Sequence, residues 1–495
     1  MISSECVPFA KSGGLADVVA ALSRQLSSMG HDVRIILPEY SFLNLEETKI
    51  TVEKLIVPMG IKDETVKISE TNLPGSKLKV VFVGHSVFTN RTGIYGEHGS
   101  HSYRDNYYRF ALFSASAFSY SHAENWIPDI IHSHDWPAGL VPAYLNNFKT
   151  KNLFNQTESI FTIHNTGYQG NFSKYDILPT GLSWNGVSSK KAKYIDEINF
   201  LQSGIVNSKA VTTVSPSYAD EIKIPGKGHG LEQILINKNE YFLGILNGVD
   251  YTEWDPEHDS FLDLNFSYKN LKNKWKLKEL LQNKSQLPVN SKTALIGMVG
   301  RLADQKGFSE LCKINNNNTT AIEQICNNSD VQMIILGTGE KWIEEELKKL
   351  SNKLPNLKVF LEFDNGLAHL IEAGTDFFLM PSKYEPCGLN QIYSLKYGSV
   401  PIVRATGGLK DTVIDYFKNE NTGTGFHIPG MNSGSIVETV RNVLDLWRNN
   451  KNIIERIRKT GMLKKFLWED SATQYEKLYK KCLNPEFSDS EPIFH

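Results

Sequence analysis

The sequence is poor in cysteine and contains no long apolar run, and both absences narrow its class. Five cysteines (Cys6, Cys312, Cys326, Cys387, Cys482) are scattered through 495 residues without a Cys-x-x-Cys pair. An odd, unspaced set excludes a disulfide framework and fits free thiols in a reducing compartment. No apolar stretch approaches the roughly 20 residues that span a bilayer. No basic segment followed by an apolar core opens the chain, so no signal peptide is read. The expected location is the cytoplasm, or a plastid for a plant-type source, although no transit peptide is visible. Triplets such as Asn171-Phe172-Ser173 are then chance glycosylation matches. The basic excess of a nucleic-acid binder is also missing: 53 basic residues face 55 acidic ones, a net charge of −2. Neither nucleic acid nor membrane is expected as a partner; a neutral polysaccharide or small molecule fits better. There is no strand–GxGxxG–helix unit with a ribose-binding acid downstream, which sets a dinucleotide oxidoreductase aside.

What is present is the balance of a globular protein, 40% hydrophobic and 22% charged. The length calls for two or three domains. Short apolar runs alternate with helical patterns, the signature of parallel βαβ units. Strands are predicted at Val33–Leu37, Lys79–Val83, Ile130–His134, Ser159–His164, Ala210–Val214 and Leu243–Leu246, with amphipathic helices at Leu15–Met29 and Tyr107–His122. The second half repeats the scheme at Ala294–Val299, Gln332–Leu336, Lys358–Leu361, Phe377–Pro381 and Pro401–Val403. The fold class is therefore α/β, two doubly wound Rossmann-like domains facing across a cleft. The expected domains are 1–246 and 257–465, with the helical stretch 466–495 crossing back onto the first. Asn315–Asn318 is read as a surface loop and the tail from Asn484 as frayed. Only Met1 and Ile2 precede Ser3-Ser4-Glu5, so the first strand reads as clipped, and the reading favours a true start upstream.

Four clusters fall at the carboxyl ends of predicted strands, where ligands bind in such sheets. Lys11-Ser12-Gly13-Gly14-Leu15 precedes a helix. Paired glycines let the backbone approach a diphosphate, and the helix N-terminus offers free N–H groups; an ordinary strand-to-helix turn is the plain alternative. Arg301 through Gly307 supplies Arg301 and Lys306, two cations able to clamp a diphosphate leaving group, or simply a solvated loop. Glu385-Pro386-Cys387-Gly388-Leu389 opens a helix. Glu385 could accept from sugar or ribose hydroxyls, while Gly388 and Leu389 present backbone N–H groups; Cys387 reads as a packing residue. Thr406-Gly407-Gly408, His134-Asp135-Trp136 and His164-Asn165 complete the set. His134 and His164 are metal-ligand types without a third ligand at metal spacing, so no metal is expected, and no cofactor either.

The ordered segments Lys11-Ser12-Gly13-Gly14-Leu15, His134-Asp135-Trp136, Thr162-Ile163-His164-Asn165, Leu246-Asn247-Gly248, Gly300-Arg301-Leu302, Gln305-Lys306-Gly307, Glu385-Pro386-Cys387-Gly388-Leu389 and Thr406-Gly407-Gly408-Leu409 closely resemble those of bacterial glycogen synthases and plant starch synthases. These are retaining glycosyltransferases of the GT-B fold, and the resemblance runs the length of the chain. It implies glucose transfer from a nucleotide-sugar, ADP-glucose in preference to UDP-glucose, onto the 4-hydroxyl of an α-1,4-glucan. Arg301 and Lys306 would then hold the diphosphate. Glu385, Cys387, Gly388 and Leu389 would hold glucose and nucleotide, with Thr406 and Gly407 beside them. Lys11, Gly13 and Gly14 would meet the donor from the first domain. His164, Asp135 and Asn247 would line the donor-sugar and acceptor side, and Tyr95 would meet donor or acceptor from its loop. Tyr393 stands where many retaining GT-B enzymes carry a second Glu, which is similar to the starch-synthase type. Gln202-Ser203 replaces the family's usual Lys-Gly, a departure that together with the clipped strand leaves open a non-catalytic glucan-binding relative. Another GT-B glycosyltransferase is the further alternative.

Overall fold

The structure is a computed structural model that describes residues 1–97, 102–187, 197–315, 318–327 and 330–486. Two of the residues in the expected Asn315–Asn318 loop, and the tail beyond residue 486, lie outside this set. The chain forms two compact units, Met1–Gly248 with Trp468–His495, and Val249–Leu467. Among the described residues no helix is long and apolar enough to cross a membrane.

The first unit is built on strands β1 (Arg34–Pro38), β2 (Lys49–Val57), β3 (Glu64–Asn72), β4 (Lys79–Gly84), β5 (Ile130–His134) and β6 (Glu158–Ile163). A small antiparallel pair, β7 (Asn171–Ser173) and β8 (Glu197–Asn199), stands apart, and β9 (Ala210–Thr213) and β10 (Phe242–Gly244) complete the set. The strands run in two groups, β1-β4-β3-β2 and β10-β9-β6-β5. Residues 1–3 join them: Ile2 pairs in parallel with Ile36 on one side and Ser133 on the other. Its amide donates to the His132 carbonyl at 2.8 Å, and its carbonyl accepts from the His134 amide at 3.1 Å. Strand order reverses across this centre, so the segments leaving its carboxyl end, Ser4–Gly14 and Asp135–Trp136, lie at a topological switch point. Strands β2 and β3 were not singled out in the sequence. They pair antiparallel at the sheet edge, and in the mostly exposed β2 register shifts between Ile50 and Val52 and between Val52 and Leu55 break the alternation that marks a strand. The helix Trp468–Leu483 packs on this unit: Ala472 and Tyr475 share a core with Leu22, Leu26 and Ile245.

The second unit carries strands β11 (Ala294–Val299), β12 (Val331–Leu336), β13 (Leu357–Phe360), β14 (Phe377–Met380), β15 (Val400–Arg404) and β16 (Phe426–Ile428). All pair in parallel in the order β13-β12-β11-β14-β15-β16. Successive residues point to opposite faces. Ile296, Met333 and Phe377 enter one core, and Leu295, Ile334 and Phe378 enter the other. Burial on both faces is why these strands read as unbroken apolar runs. The order reverses between β11 and β14, which brings together the loops that follow them.

Candidate active site

At the switch point of the second unit, the loop after β11 meets the loop after β14. Lys306 Nζ lies 2.5 Å from Glu385 Oε2. The same oxygen accepts from Ser382 Oγ at 3.0 Å. Glu385 is only 5% exposed, so this carboxylate has almost no solvent to stabilise it and depends on these two donors. Arg301, on the same loop as Lys306, donates to Gln305 Oε1 at 3.2 Å, and Gln305 in turn donates to the Tyr384 carbonyl at 3.3 Å. Local backbone chemistry fixes the approach. Gly407 has φ +45°, and a Cβ there would lie 2.0 Å from the Glu385 carbonyl oxygen. Gly408 donates its amide to that carbonyl at 3.1 Å. Only glycine lets the Thr406–Gly408 turn lie this close to Glu385 and Cys387. Gly388, at φ +72°, turns the chain into the helix Asn390–Tyr397, with Leu389 as its N-cap. So Lys306, Glu385, Cys387, Gly388, Leu389, Thr406 and Gly407 are gathered at one sheet end, with Arg301 on the loop that carries Lys306. Tyr393 is half-buried and lies flat on Trp254, ring centroids 3.9 Å apart and planes 5° apart. An aromatic stack, not a second carboxylate, occupies that helix position.

In the first unit the switch point carries two separate groups. Glu5, which the sequence reading passed over, organises the glycine turn. Its carboxylate accepts from the Ser12 amide, from Ser12 Oγ at 2.7 Å and from the Gly13 amide at 3.2 Å. Tyr95 also donates its hydroxyl to Glu5 and lies beside Trp136, centroids 5.7 Å apart. Lys11 stands outside this network, ion-paired at the surface with Asp17 at 2.8 Å. Gly14 begins the helix Gly14–Ser28. The second group is Asp135 and the histidines. Asp135 adopts φ +56°, uncommon for a residue with a side chain. Its carboxylate accepts the His164 amide at 2.8 Å and the Asn165 amide at 3.4 Å. His164 Nε2 lies 3.1 Å from His134 Nδ1. Burial drives the His164 pKa down to about 3, so the ring is neutral. Asn247 is buried, and its Oδ1 has no hydrogen-bond partner among the described residues.

A family model described as the starch synthase catalytic domain matches residues 1–237, and one for glycosyl transferases group 1 matches residues 281–460. The glycogen synthase of Treponema denticola is 43% identical over 488 residues, covering 99% of both chains. The chain belongs to the glycogen synthase family. It is thereby a glycosyltransferase. Glycogen synthase 1 of Geobacter sulfurreducens is 39% identical, over 98% of this chain and 96% of its own. Among solved structures, the catalytic domain of starch synthase IV from Arabidopsis thaliana, bound to ADP and acarbose, matches with a TM-score of 0.87. It is 30% identical and covers 97% of this chain and 98% of that one. The GT-B architecture and the resemblance read from the sequence are borne out.

Within this glycogen synthase family member, the Gln202-Ser203 departure falls in the first turn of the helix Phe200–Asn207. The Gln202 amide is capped by Asn199 Oδ1 at 2.7 Å, and Ser203 is buried. Gly204 is required there, since a Cβ would meet the Phe161 ring at 2.5 Å. Asp135 gives a pH test. Burial raises its carboxyl to about 7, against the opposing pull of the His164 and Asn165 amides. Between about pH 4, the ordinary carboxylate value, and about 7, the unfolded chain has lost a proton that the folded chain keeps. Wild-type stability therefore falls as pH rises through this window. Asp135→Asn removes that component. Its urea midpoint should rise relative to wild type from about pH 4 to about 7, and a pH-independent difference would refute the assignment.

Proposed function

We propose that the chain elongates α-1,4-glucan by transferring glucose from ADP-glucose to a non-reducing 4-hydroxyl, with retention of configuration. The observation that carries this reading is the buried Glu385 carboxylate held by Lys306 at the switch point, with Arg301 alongside. As the C1–O bond to the diphosphate breaks, negative charge grows on the leaving oxygen and positive charge on the sugar ring. Preorganised cations stabilise the first, and removing one such group costs about 10²- to 10³-fold in kcat. Arg301 and Lys306 are assigned to the diphosphate. Glu385 is assigned to glucose or ribose hydroxyls, beside the Cys387, Gly388 and Leu389 backbone and the Thr406–Gly407 turn. In the first unit, Glu5 holds the Ser12 and Gly13 amides, so that Gly13, Gly14 and the flanking Lys11 are assigned to the donor together with Tyr95, which bonds to Glu5, while His164, Asp135 and Asn247 are assigned to sugar oxygens. The unpartnered Asn247 Oδ1 supports that assignment, since a buried acceptor without a donor is costly until a ligand satisfies it. The acceptor 4-hydroxyl attacks C1 on the face that the diphosphate leaves. Its proton passes to the departing phosphate oxygen, so the products are ADP and a glucan longer by one residue. The starch synthase structure solved with ADP supports an adenine donor. Five free, buried thiols support a reducing compartment such as the cytoplasm.

The test is transfer of labelled glucose onto a glycogen primer, with ADP-glucose and UDP-glucose run separately. ADP-glucose should give the higher kcat/KM. Faster transfer from UDP-glucose would overturn the donor assignment. Glucan binding without transfer from either donor would overturn the function.

A further inference from the structure

Three histidines at the ends of two neighbouring strands form an array in the first unit, His132 and His134 buried and His164 half-buried. His132 and His134 lie on β5, and His164 follows the end of β6. His132 is saturated: Nδ1 lies 2.6 Å from the Tyr479 hydroxyl, and Nε2 lies 2.6 Å from Thr162 Oγ1. Its ring stacks on that of His134 with centroids 4.2 Å apart. His134 is fully buried and makes one polar side-chain contact, from Nδ1 to His164 Nε2 at 3.1 Å, while its own Nε2 is buried without a partner. Burial and the neighbouring rings push His134 well below the ordinary histidine value, so the array is neutral.

A neutral imidazole carries one proton, so in this contact one nitrogen donates and the other accepts. If His134 were protonated at Nε2, it would bury an N–H with no acceptor. Orphaned buried N–H groups are rarer in native structures than under-used acceptors. The proton therefore belongs on His134 Nδ1, donating to the lone pair of His164 Nε2. His164 must then hold its own proton on Nδ1, an atom that makes no hydrogen bond among the described residues. We propose that His134 is a positioning residue that fixes His164 in the Nδ1–H tautomer, so that His164 meets a substrate oxygen as a neutral hydrogen-bond donor and not as a base. The part concerning substrate rests on the proposed transferase reading; the tautomer does not.

The test is nitrogen NMR of the full chain labelled at histidine ring nitrogens, with the His164 signals identified by their loss in His164→Asn. In the free wild-type protein, His164 should show a protonated Nδ1 and a bare Nε2, unchanged from about pH 6 to about 8, a range in which an ordinary histidine titrates. In His134→Phe, the Nε2–H form should appear. A wild-type His164 protonated at Nε2, or a folded His134→Phe that keeps Nδ1–H, overturns the proposal. Measured beside this, His134→Phe should lower kcat for glucose transfer by roughly 10- to 100-fold, the usual cost of losing a partner that orients a functional imidazole. An inactive wild-type enzyme with the stated tautomer would refute the transferase reading and leave the histidine assignment standing.

Discussion

Replacing Lys306 by alanine is expected to lower kcat for glucose transfer by about 10²- to 10³-fold, equivalent to about 3–4 kcal/mol of transition-state stabilisation. The substitution does two things at once. It removes a cation from the place where the leaving diphosphate gains charge. It also strips Glu385, whose side chain is 6% exposed, of its ion-pair partner at 2.5 Å and leaves it only Ser382 Oγ at 3.0 Å. The two consequences separate experimentally. Loss of phosphate stabilisation acts in the transition state and lowers kcat, whereas a misplaced Glu385 weakens ground-state binding and raises KM. Lys306→Arg keeps the charge but spreads it over a planar fork that does not reproduce a point contact. It should restore binding of ADP more fully than kcat. The decisive comparison is steady-state transfer onto glycogen with ADP-glucose, together with the Kd for ADP. A Lys306→Ala enzyme that keeps wild-type kcat would remove Lys306 from the chemistry.

The parts of this fold that the sequence discloses are those governed by local rules. Strands such as Val331–Leu336, buried throughout, announce themselves as apolar runs. The Gly407–Gly408 pair announces a close backbone approach, though not that the approach is to the carbonyl of Glu385. What stays hidden depends on partners distant in sequence. Glu5 looks like a stray acid until the chain folds back and offers it the Ser12 and Gly13 amides. His132 and His134 sit on one strand and His164 beyond the next, so each alone resembles an isolated core histidine or metal-ligand type. Only parallel pairing in register, His134 beside Thr162, makes them an array. Tyr393 reads merely as the absence of a second Glu; its stack on Trp254 needs a segment from the start of the same unit. Strand β2 is missed for a different reason: Val52, Leu55 and Val57 face the core, but register shifts on either side of Val52 break the two-residue period, and the outward face carries Ile56.

The helix Lys272–Lys284 hides the most, and it carries the largest stability prediction. Its sequence, KNKWKLKELLQNK, has the composition of a solvated surface helix, yet Lys274, Lys278 and Gln282, spaced four apart on one face, are buried with Leu277 and Leu281. Lys278 Nζ donates to Asp376 Oδ2 at 2.7 Å and to the Thr293 carbonyl at 2.7 Å. Asp376 Oδ2 also accepts the Leu295 amide at 2.9 Å, so one carboxylate ties the helix to the starts of β11 and β14. The Lys278 and Asp376 side chains are 3% and 2% exposed. Removing one partner of a buried pair leaves an uncompensated charge, which costs about 3–5 kcal/mol. Lys278→Met should destabilise the second unit by that amount in urea unfolding. Arg458, with Nη2 3.7 Å from Asp376 Oδ1, still offsets part of the carboxylate's charge but is too distant to replace the lost hydrogen bond, which places the expected loss at the lower end, about 3 kcal/mol. Lys349→Met, which breaks an exposed pair with Glu346, should cost no more than about 1 kcal/mol. Adding Asp376→Asn to Lys278→Met neutralises the stranded carboxylate while keeping an oxygen for the Leu295 amide, so the double variant should be more stable than Lys278→Met alone. If the two losses instead add, the lysine acts through its methylene packing, and the charge pair is not what holds this helix to the sheet.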